Sequence, residues 1–233
     1  MSQTKNHTLL ITGANRGIGL EYVKQYAEAG WKVFACCRNP EEAEVLNVLA
    51  SKHTQVSVCA LDVGDFVQIE SLARALAEQE IHLLINNAGV YPSSHFKAVD
   101  YDAWADAFKI NTMSTLKLAE VFIPHLVKAG NAKLLAMTSK MGSIDDNTSG
   151  GEYIYRSSKT ALNMVVKSLA IDLQKYGVLV AALHPGWVRT DMGGPNGLID
   201  VSTSVNGLRR VIEQLTLEES GKMIGYDGKV VNW

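Results

Sequence analysis

Six short apolar runs recur along the chain: HTLLIT, WKVFACC, QVSVCAL, IHLLIN, AKLLAMTS and GVLVAALH. Each is followed by a longer amphipathic or charged stretch. The runs are rich in Val, Ile and Leu and barely alternate with polar residues. That is how strands buried on both faces of a parallel sheet read. The stretches between them carry helical spacing. DFVQIESLARALAEQE places Phe66, Ile69, Leu72, Ala73 and Leu76 on one face. YDAWADAFKINTMSTLKLAEVFIPHLVKAG predicts one long helix with Pro124 near its end. YRSSKTALNMVVKSLAIDLQKYG predicts another, closed by Gly177. Alternating strand and helix builds right-handed βαβ units, so the expected fold class is α/β, doubly wound, with helices on both faces. No linker interrupts the pattern, and residues 1–233 read as one domain. Such sheets bind ligands beyond the carboxyl ends of their strands.

Composition removes several alternatives. The 22 basic and 24 acidic residues leave a net charge of -2, which argues against a nucleic-acid or anionic-membrane partner. Cys36, Cys37 and Cys59 cannot all pair, and two of them are adjacent in an apolar run. This fits reduced thiols, not a disulfide framework or a metal site. The opening MSQTKNHTLLITG lacks the apolar core of a signal peptide. No segment reaches the roughly 20 apolar residues of a membrane helix. The expected location is the cytoplasm.

The first strand runs directly into TGANRGIG, Thr12 to Gly19. A tight turn needs residues without Cβ, and so does a backbone that passes close to a pyrophosphate. The helix that follows offers its free N–H groups to an anion. An ordinary turn would also tolerate three glycines, but their place between first strand and first helix points to a dinucleotide site. A site selective for NAD carries an acid at the end of the second strand. Here Arg38 follows WKVFACC, and Arg16 lies in the glycine turn. Two guanidinium groups match a ribose 2′-phosphate, so the expected cofactor is NADP(H). The plainer alternative is a pair of solvated surface charges.

In YRSSK, Tyr155 and Lys159 are four residues apart and share a helix face. A free tyrosine titrates at about 10. A nearby ammonium and a positive nicotinamide ring favour the phenolate, and a phenol so tuned can move a proton near neutral pH. AMTS ends the fifth strand at Ser139, whose hydroxyl can bond a substrate oxygen. Tyr153 lacks the four-residue offset, and Ser143 lies further into the loop; both rank second. Asn111, in KINTMS, is a polar amide without explanation inside a long helix.

The spacing G-x-x-x-G-x-G, the NNAG of Asn86–Gly89, the serine, the Tyr-x-x-x-Lys and the Pro-Gly of HPGWVRTDM each follow the appropriate strand. Together they resemble the short-chain dehydrogenase/reductase family over essentially the whole chain. The resemblance implies a single Rossmann-fold domain with a seven-stranded parallel sheet in the order 3-2-1-4-5-6-7. It implies a catalytic tetrad of Asn111, Ser139, Tyr155 and Lys159, with Asn111 holding a water that links the lysine to solvent. It implies that Gly13, Asn15, Arg16, Gly17, Ile18, Gly19 and Arg38 contact the cofactor. Asp62 would face the adenine amino group and Val63 pack beside the ring. Asn87, Ala88 and Gly89 would lie along the cofactor, with Tyr155 and Lys159 at its nicotinamide end. Pro185 and Gly186 would form the turn before Val188, whose backbone would bond the carboxamide, and Thr190 would touch the amide or phosphate. His184 reads as a structural strand-end residue, and at least one of the asparagines should tie strand ends together.

AALHPGWVRTDMGG and GYDGKVVNW are similar to the small carbonyl reductases of that family. The expected reaction is hydride transfer between NADPH and an apolar aldehyde, ketone or quinone. Tyr91, His95, Phe96, Met141, Ile144, Trp187 and Met192 are the expected substrate wall, and the short stretch Gly193–Asp200 suggests an open cleft. Alternatives are an NADP-binding signalling protein with little turnover and a pteridine or acyl-thioester reductase. Family members commonly pair through the two long helices, here 100–129 and 152–176, so a homodimer or homotetramer is possible.

Overall fold

Leu9 and Ile11 point to one side of the first strand and Leu10 to the other, and all three are fully buried. The strand therefore has helices on both faces. The computed structural model describes residues 7–233; the leader-free reading of residues 1–6 lies outside them. Strands β1 (Thr8–Thr12), β2 (Lys32–Cys37), β3 (Val56–Ala60), β4 (Leu83–Asn86), β5 (Lys133–Met137), β6 (Leu179–His184), β7 (Met223–Gly225) and β8 (Val230–Val231) form one sheet in the order 3-2-1-4-5-6-7-8. β1 to β7 pair in parallel. The fold is a Rossmann-type α/β fold.

The expected seven-strand order holds through β7, and an eighth strand extends the edge. β8 runs antiparallel to β7, with Met223 opposite Val231. The turn Tyr226–Asp227–Gly228 closes that hairpin: Gly225 N–H donates to Lys229 O at 2.8 Å, and Gly228 has φ +82°. A two-residue strand is too short to show a period, so the apolar pattern hides it.

Helices α1 (Gly17–Glu28), α2 (Glu44–Lys52) and α7 (Val201–Gln214) cover one face, packing Tyr22, Val23, Leu46, Leu208 and Ile212 on the sheet. On the other face α3 (Phe66–Ala75), α5 (Ser114–Ala129) and α6 (Tyr153–Asp172) contribute Ile69, Phe122, Leu126, Leu162 and Val166. α4 (Tyr101–Phe108) packs on α6. Gly177, at φ +69°, ends the short turn that follows α6.

The expected long helix is interrupted. Between α4 and α5 the residues Lys109–Met113 widen into a π turn centred on Asn111. Such single-turn bulges commonly occur at functional sites. Here the bulge turns a polar amide inward, where backbone groups of a distant loop bond it.

Candidate active site

Beyond the carboxyl ends of β1 to β6 lies a cleft of about 370 Å³. One end is the glycine turn. Gly13 and Gly17 have φ +64° and +53°, conformations that disfavour any side chain. A Cβ on Gly19 would run into the Gly13 carbonyl oxygen and stand 2.7 Å from Asn87 Nδ2. Gly19→Ala should therefore displace the turn and weaken NADPH binding at least about fivefold, since overpacking costs about 1–3 kcal/mol. A fluorescence titration against wild type measures this.

The start of α1 differs from those of α3, α4 and α7. Those three begin on Asp65, Asp100 and Asp200, whose carboxylates accept the first backbone N–H groups. α1 begins on Arg16, extended, with no side-chain cap and no acid in its first turn. Its N–H donors are left for an anion.

The lining residues include Gly13, Asn15, Arg16, Gly17, Ile18, Gly19, Arg38, Asp62, Val63, Asn87, Ala88, Gly89, Tyr155, Lys159, Pro185 and Thr190. Gly186 and Val188 follow Pro185 in the turn after β6. Gly186 packs against Tyr226 and Ile199, and Val188 is buried and bridges to Ile199. Cys37, Leu61, Thr138 and Asp191 also line the cleft and were not anticipated. The first three are identifiable in retrospect as the last strand residue or the one after it. Asp191 comes from a distant loop. Arg16 Nη1 donates to Asp191 Oδ2 at 3.0 Å, with the two side chains 71% and 77% exposed.

The strand ends are tied by Thr12, Asn86 and Asn87. Thr12 Oγ1 donates to Asn86 Oδ1 at 3.1 Å and accepts from Asn87 N and Ala88 N at 3.0 Å. Asn86 Nδ2 also bonds Thr115 Oγ1. Asn87 Nδ2 donates to the carbonyls of Thr12 and Gly13. Asp62 Oδ1 accepts from Gly64 N at 2.8 Å, closing its own turn at the cleft edge.

Tyr155 and Lys159 meet at the other end of the cleft, both buried. The Lys159 Nζ is 5.7 Å from the centre of the Tyr155 ring and donates to Met137 O at 2.9 Å. The phenol is not lowered as the sequence suggested. Burial pushes it up to about 12, the Ser139 hydroxyl opposes that, and Tyr91 adds to it. Burial likewise brings Lys159 down to about 8. In the protein alone, desolvation outweighs the attraction expected of the pair. Tyr155 therefore holds its proton at neutral pH.

The Lys159 shift fixes a pH dependence of stability. Between pH 8 and about 10.4 an unfolded lysine is still charged while the folded one has lost its proton. The unfolded state then binds more protons, so stability rises with pH across this window. Wild type should gain melting temperature relative to Lys159→Met from pH 8 to 10, measured by calorimetry. A pH-independent difference would contradict the burial of the charge.

Asn111 Oδ1 accepts from Val90 N at 2.8 Å, and its Nδ2 donates to Val90 O and to Ser158 Oγ. Its amide thus fastens the loop after β4 to α6, and no direct bond joins it to Lys159. Ser139 starts a short 3₁₀ turn, its Oγ accepting from Met141 N at 3.1 Å. Ser143 is buried and accepts from Asp146 N, while Tyr153 lies at the surface. His184 Nδ1 accepts from Lys140 N; burial holds the ring down at about 4, so it stays neutral and structural. Of the expected substrate wall, Phe96, Ile144, Trp187 and Met192 are well exposed on the loops after β4, β5 and β6. Trp187 is held by its indole N–H on Gly193 O at 2.7 Å. The stretch Gly193–Asp200 folds back on that loop, Leu198 N donating to Trp187 O and Arg189 N to Ile199 O.

A Rossmann-type sheet with a glycine turn after β1 and a buried tyrosine–lysine pair after β5 defines a dinucleotide-dependent class of protein. The family model described as short chain dehydrogenase matches residues 7–197. The chain belongs to the short-chain dehydrogenase family. It is 44% identical over 156 residues to C-signal of Myxococcus xanthus, covering 66% of this chain and 93% of that protein. It is 36% identical over 232 residues to 1-hydroxy-2-glutathionyl-2-methyl-3-butene dehydrogenase of Rhodococcus sp. (strain AD45), covering 97% and 99%. Among solved structures it resembles the carbonyl reductase Sniffer of D. melanogaster, with 35% identity and a TM-score of 0.93 over 97% of this chain and 99% of that one. The NADPH-bound carbonyl reductase from chicken fatty liver gives the same identity and TM-score over 97% and 94%. Among the described residues, no helix is long and apolar enough to cross a membrane, and no group of His, Cys, Asp or Glu could hold a metal.

Proposed function

We propose that this chain is an NADPH-dependent carbonyl reductase in which Tyr155 donates the proton. The observation that carries the reading is a buried, protonated phenol at one end of a cleft whose other end is a glycine turn flanked by Arg16 and Arg38. The cleft fits NADP(H). The Gly13–Gly19 turn and the uncapped start of α1 would take the pyrophosphate, and Arg16 and Arg38 the 2′-phosphate. Asp62 and Val63 would meet the adenine, and Pro185 and Thr190 the nicotinamide end. The bound cofactor supplies the hydride.

The chain's own part is position and proton. The Ser139 side chain, which acts to lower the phenol, would hold the carbonyl oxygen beside Tyr155. As negative charge grows on that oxygen, the phenol O–H bond breaks and the proton passes to it. Buried Lys159 keeps a donor on the floor of the site and favours the phenolate left behind. The exposed Phe96, Ile144, Trp187 and Met192 suit an apolar carbonyl compound.

The similarity to C-signal favours a second reading, an NADP-binding signalling protein. One assay separates the two: NADPH oxidation over aldehydes, ketones, quinones and a glutathione-conjugated carbonyl, with NADH as control. Turnover of an apolar carbonyl with NADPH is expected. Tight NADPH binding without turnover of any compound would shift the reading to signalling.

A further inference from the structure

The helix that carries Tyr155 does not cap its own start. Glu152, at the cap position of α6, has φ +46° and makes no capping bond with its side chain. The cap comes from the loop after β4, where the fully enclosed Ser94 accepts from Ile154 N at 3.0 Å. The carboxylate of Glu152 turns back onto that loop. It accepts from Ser93 Oγ and Ser94 N at 3.3 Å, and Glu152 N donates to Ser94 O at 2.8 Å. A left-handed residue with a side chain is strained, and it persists because these bonds determine it.

The same loop carries Tyr91. Its ring stands edge-on to the Tyr155 ring, with centroids 4.4 Å apart and planes at 79°. This is a favoured aromatic geometry. The other side of α6 is held too: Arg156 Nη1 donates to Met141 O and Nη2 to Ser149 Oγ. Tyr155 thus lies between two side chains of opposite charge that fasten the loops after β4 and β5.

We propose that Tyr91 is a positioning residue for Tyr155, its ring fixing the angle of the phenol, and that Glu152 seats it by locking the Tyr91–Ser94 loop to the start of α6. The inference rests on Tyr155 being the proton donor. Burial, and then the Glu152 charge, raise the Tyr91 hydroxyl above its ordinary value. Tyr91 therefore keeps its hydroxyl proton near neutral pH, as Tyr155 does; the part proposed for it is the ring, which Tyr91→Phe retains.

The test compares Tyr91→Phe, Tyr91→Leu, Glu152→Ala and Tyr155→Phe in the full chain, with NADPH and the best carbonyl compound from the panel. Tyr91→Leu should lower kcat at least about tenfold, since a small misplacement of a reacting group is costly. Its KM for NADPH should stay within about twofold and its solvent deuterium isotope effect on kcat should increase, because proton transfer becomes the slow event. Tyr91→Phe keeps the ring and should retain most of the activity, and Glu152→Ala should follow Tyr91→Leu. An unchanged kcat in Tyr91→Leu would overturn the proposal. So would an equal loss in Tyr91→Phe, or a fall in kcat with parallel loss of NADPH affinity and melting temperature. In each of those cases Tyr155→Phe is still inactive. An active Tyr155→Phe would instead refute the proton-donor reading.

Discussion

Tyr155→Phe should lower NADPH-dependent turnover about 10³-fold, within the range that a positioned proton donor contributes, and should leave NADPH bound as tightly as before. The two halves of this expectation have separate structural origins. Tyr155 is buried, and its ring packs edge-on against Tyr91. Phenylalanine keeps the ring and its packing and removes only the hydroxyl group with its proton. The groups proposed for the phosphates, Gly13 to Gly19 with Arg16 and Arg38, lie at the opposite end of the cleft, out of reach of the missing hydroxyl. Steady-state kinetics with the best panel substrate gives the first quantity and a fluorescence titration the second. Activity above about one tenth of wild type, where loss of a general acid costs at least about 10²-fold, would show that the proton comes from another group.

Removing both arginines should erase the preference for NADPH. Each hydrogen bond from a guanidinium to a phosphate contributes about 1.5–3 kcal/mol. With Arg16→Ala and Arg38→Ala combined, the ratio of kcat/KM for NADPH to that for NADH should fall at least about 100-fold. The value for NADH itself should hardly change, because its ribose carries no phosphate. The ion pair of Arg16 with Asp191 does not oppose this. Both side chains are largely exposed, and such pairs contribute about 0–1 kcal/mol, so the guanidinium is free to turn to a stronger anion. A ratio that survives the double substitution would place the selectivity elsewhere in the cleft.

These two expectations draw on different amounts of tertiary information. Tyr155, Lys159, the glycine turn and Arg38 were legible because each rests on local chemistry. An i,i+4 offset sets a shared helix face, a missing Cβ sets a turn, and the end of an apolar run sets the end of a strand. The alternation gave the doubly wound α/β class, while the order of the first seven strands was what the family resemblance implied. Gly186 and Val188 show what local chemistry leaves out: the contacts of their turn with Tyr226 and Ile199 come from segments further along the chain.

Other features depend on groups far apart in the chain. Arg16 meets Asp191 across 175 positions. Asn111 bends its helix into a π turn because Val90 and Ser158 bond its amide. The Tyr155 phenol rises where a helical pair alone suggests that it falls, because burial is a property of the whole surrounding shell. The sequence by itself determined the element order, the glycine turn and the face shared by Tyr155 and Lys159, since periodicity and backbone freedom are written in neighbouring residues. The tertiary structure alone decided the protonation of that pair, the anchoring of Asn111, the edge strand β8 and the Glu152 link that seats Tyr91, since desolvation and long-range hydrogen bonds exist only once distant segments have packed together.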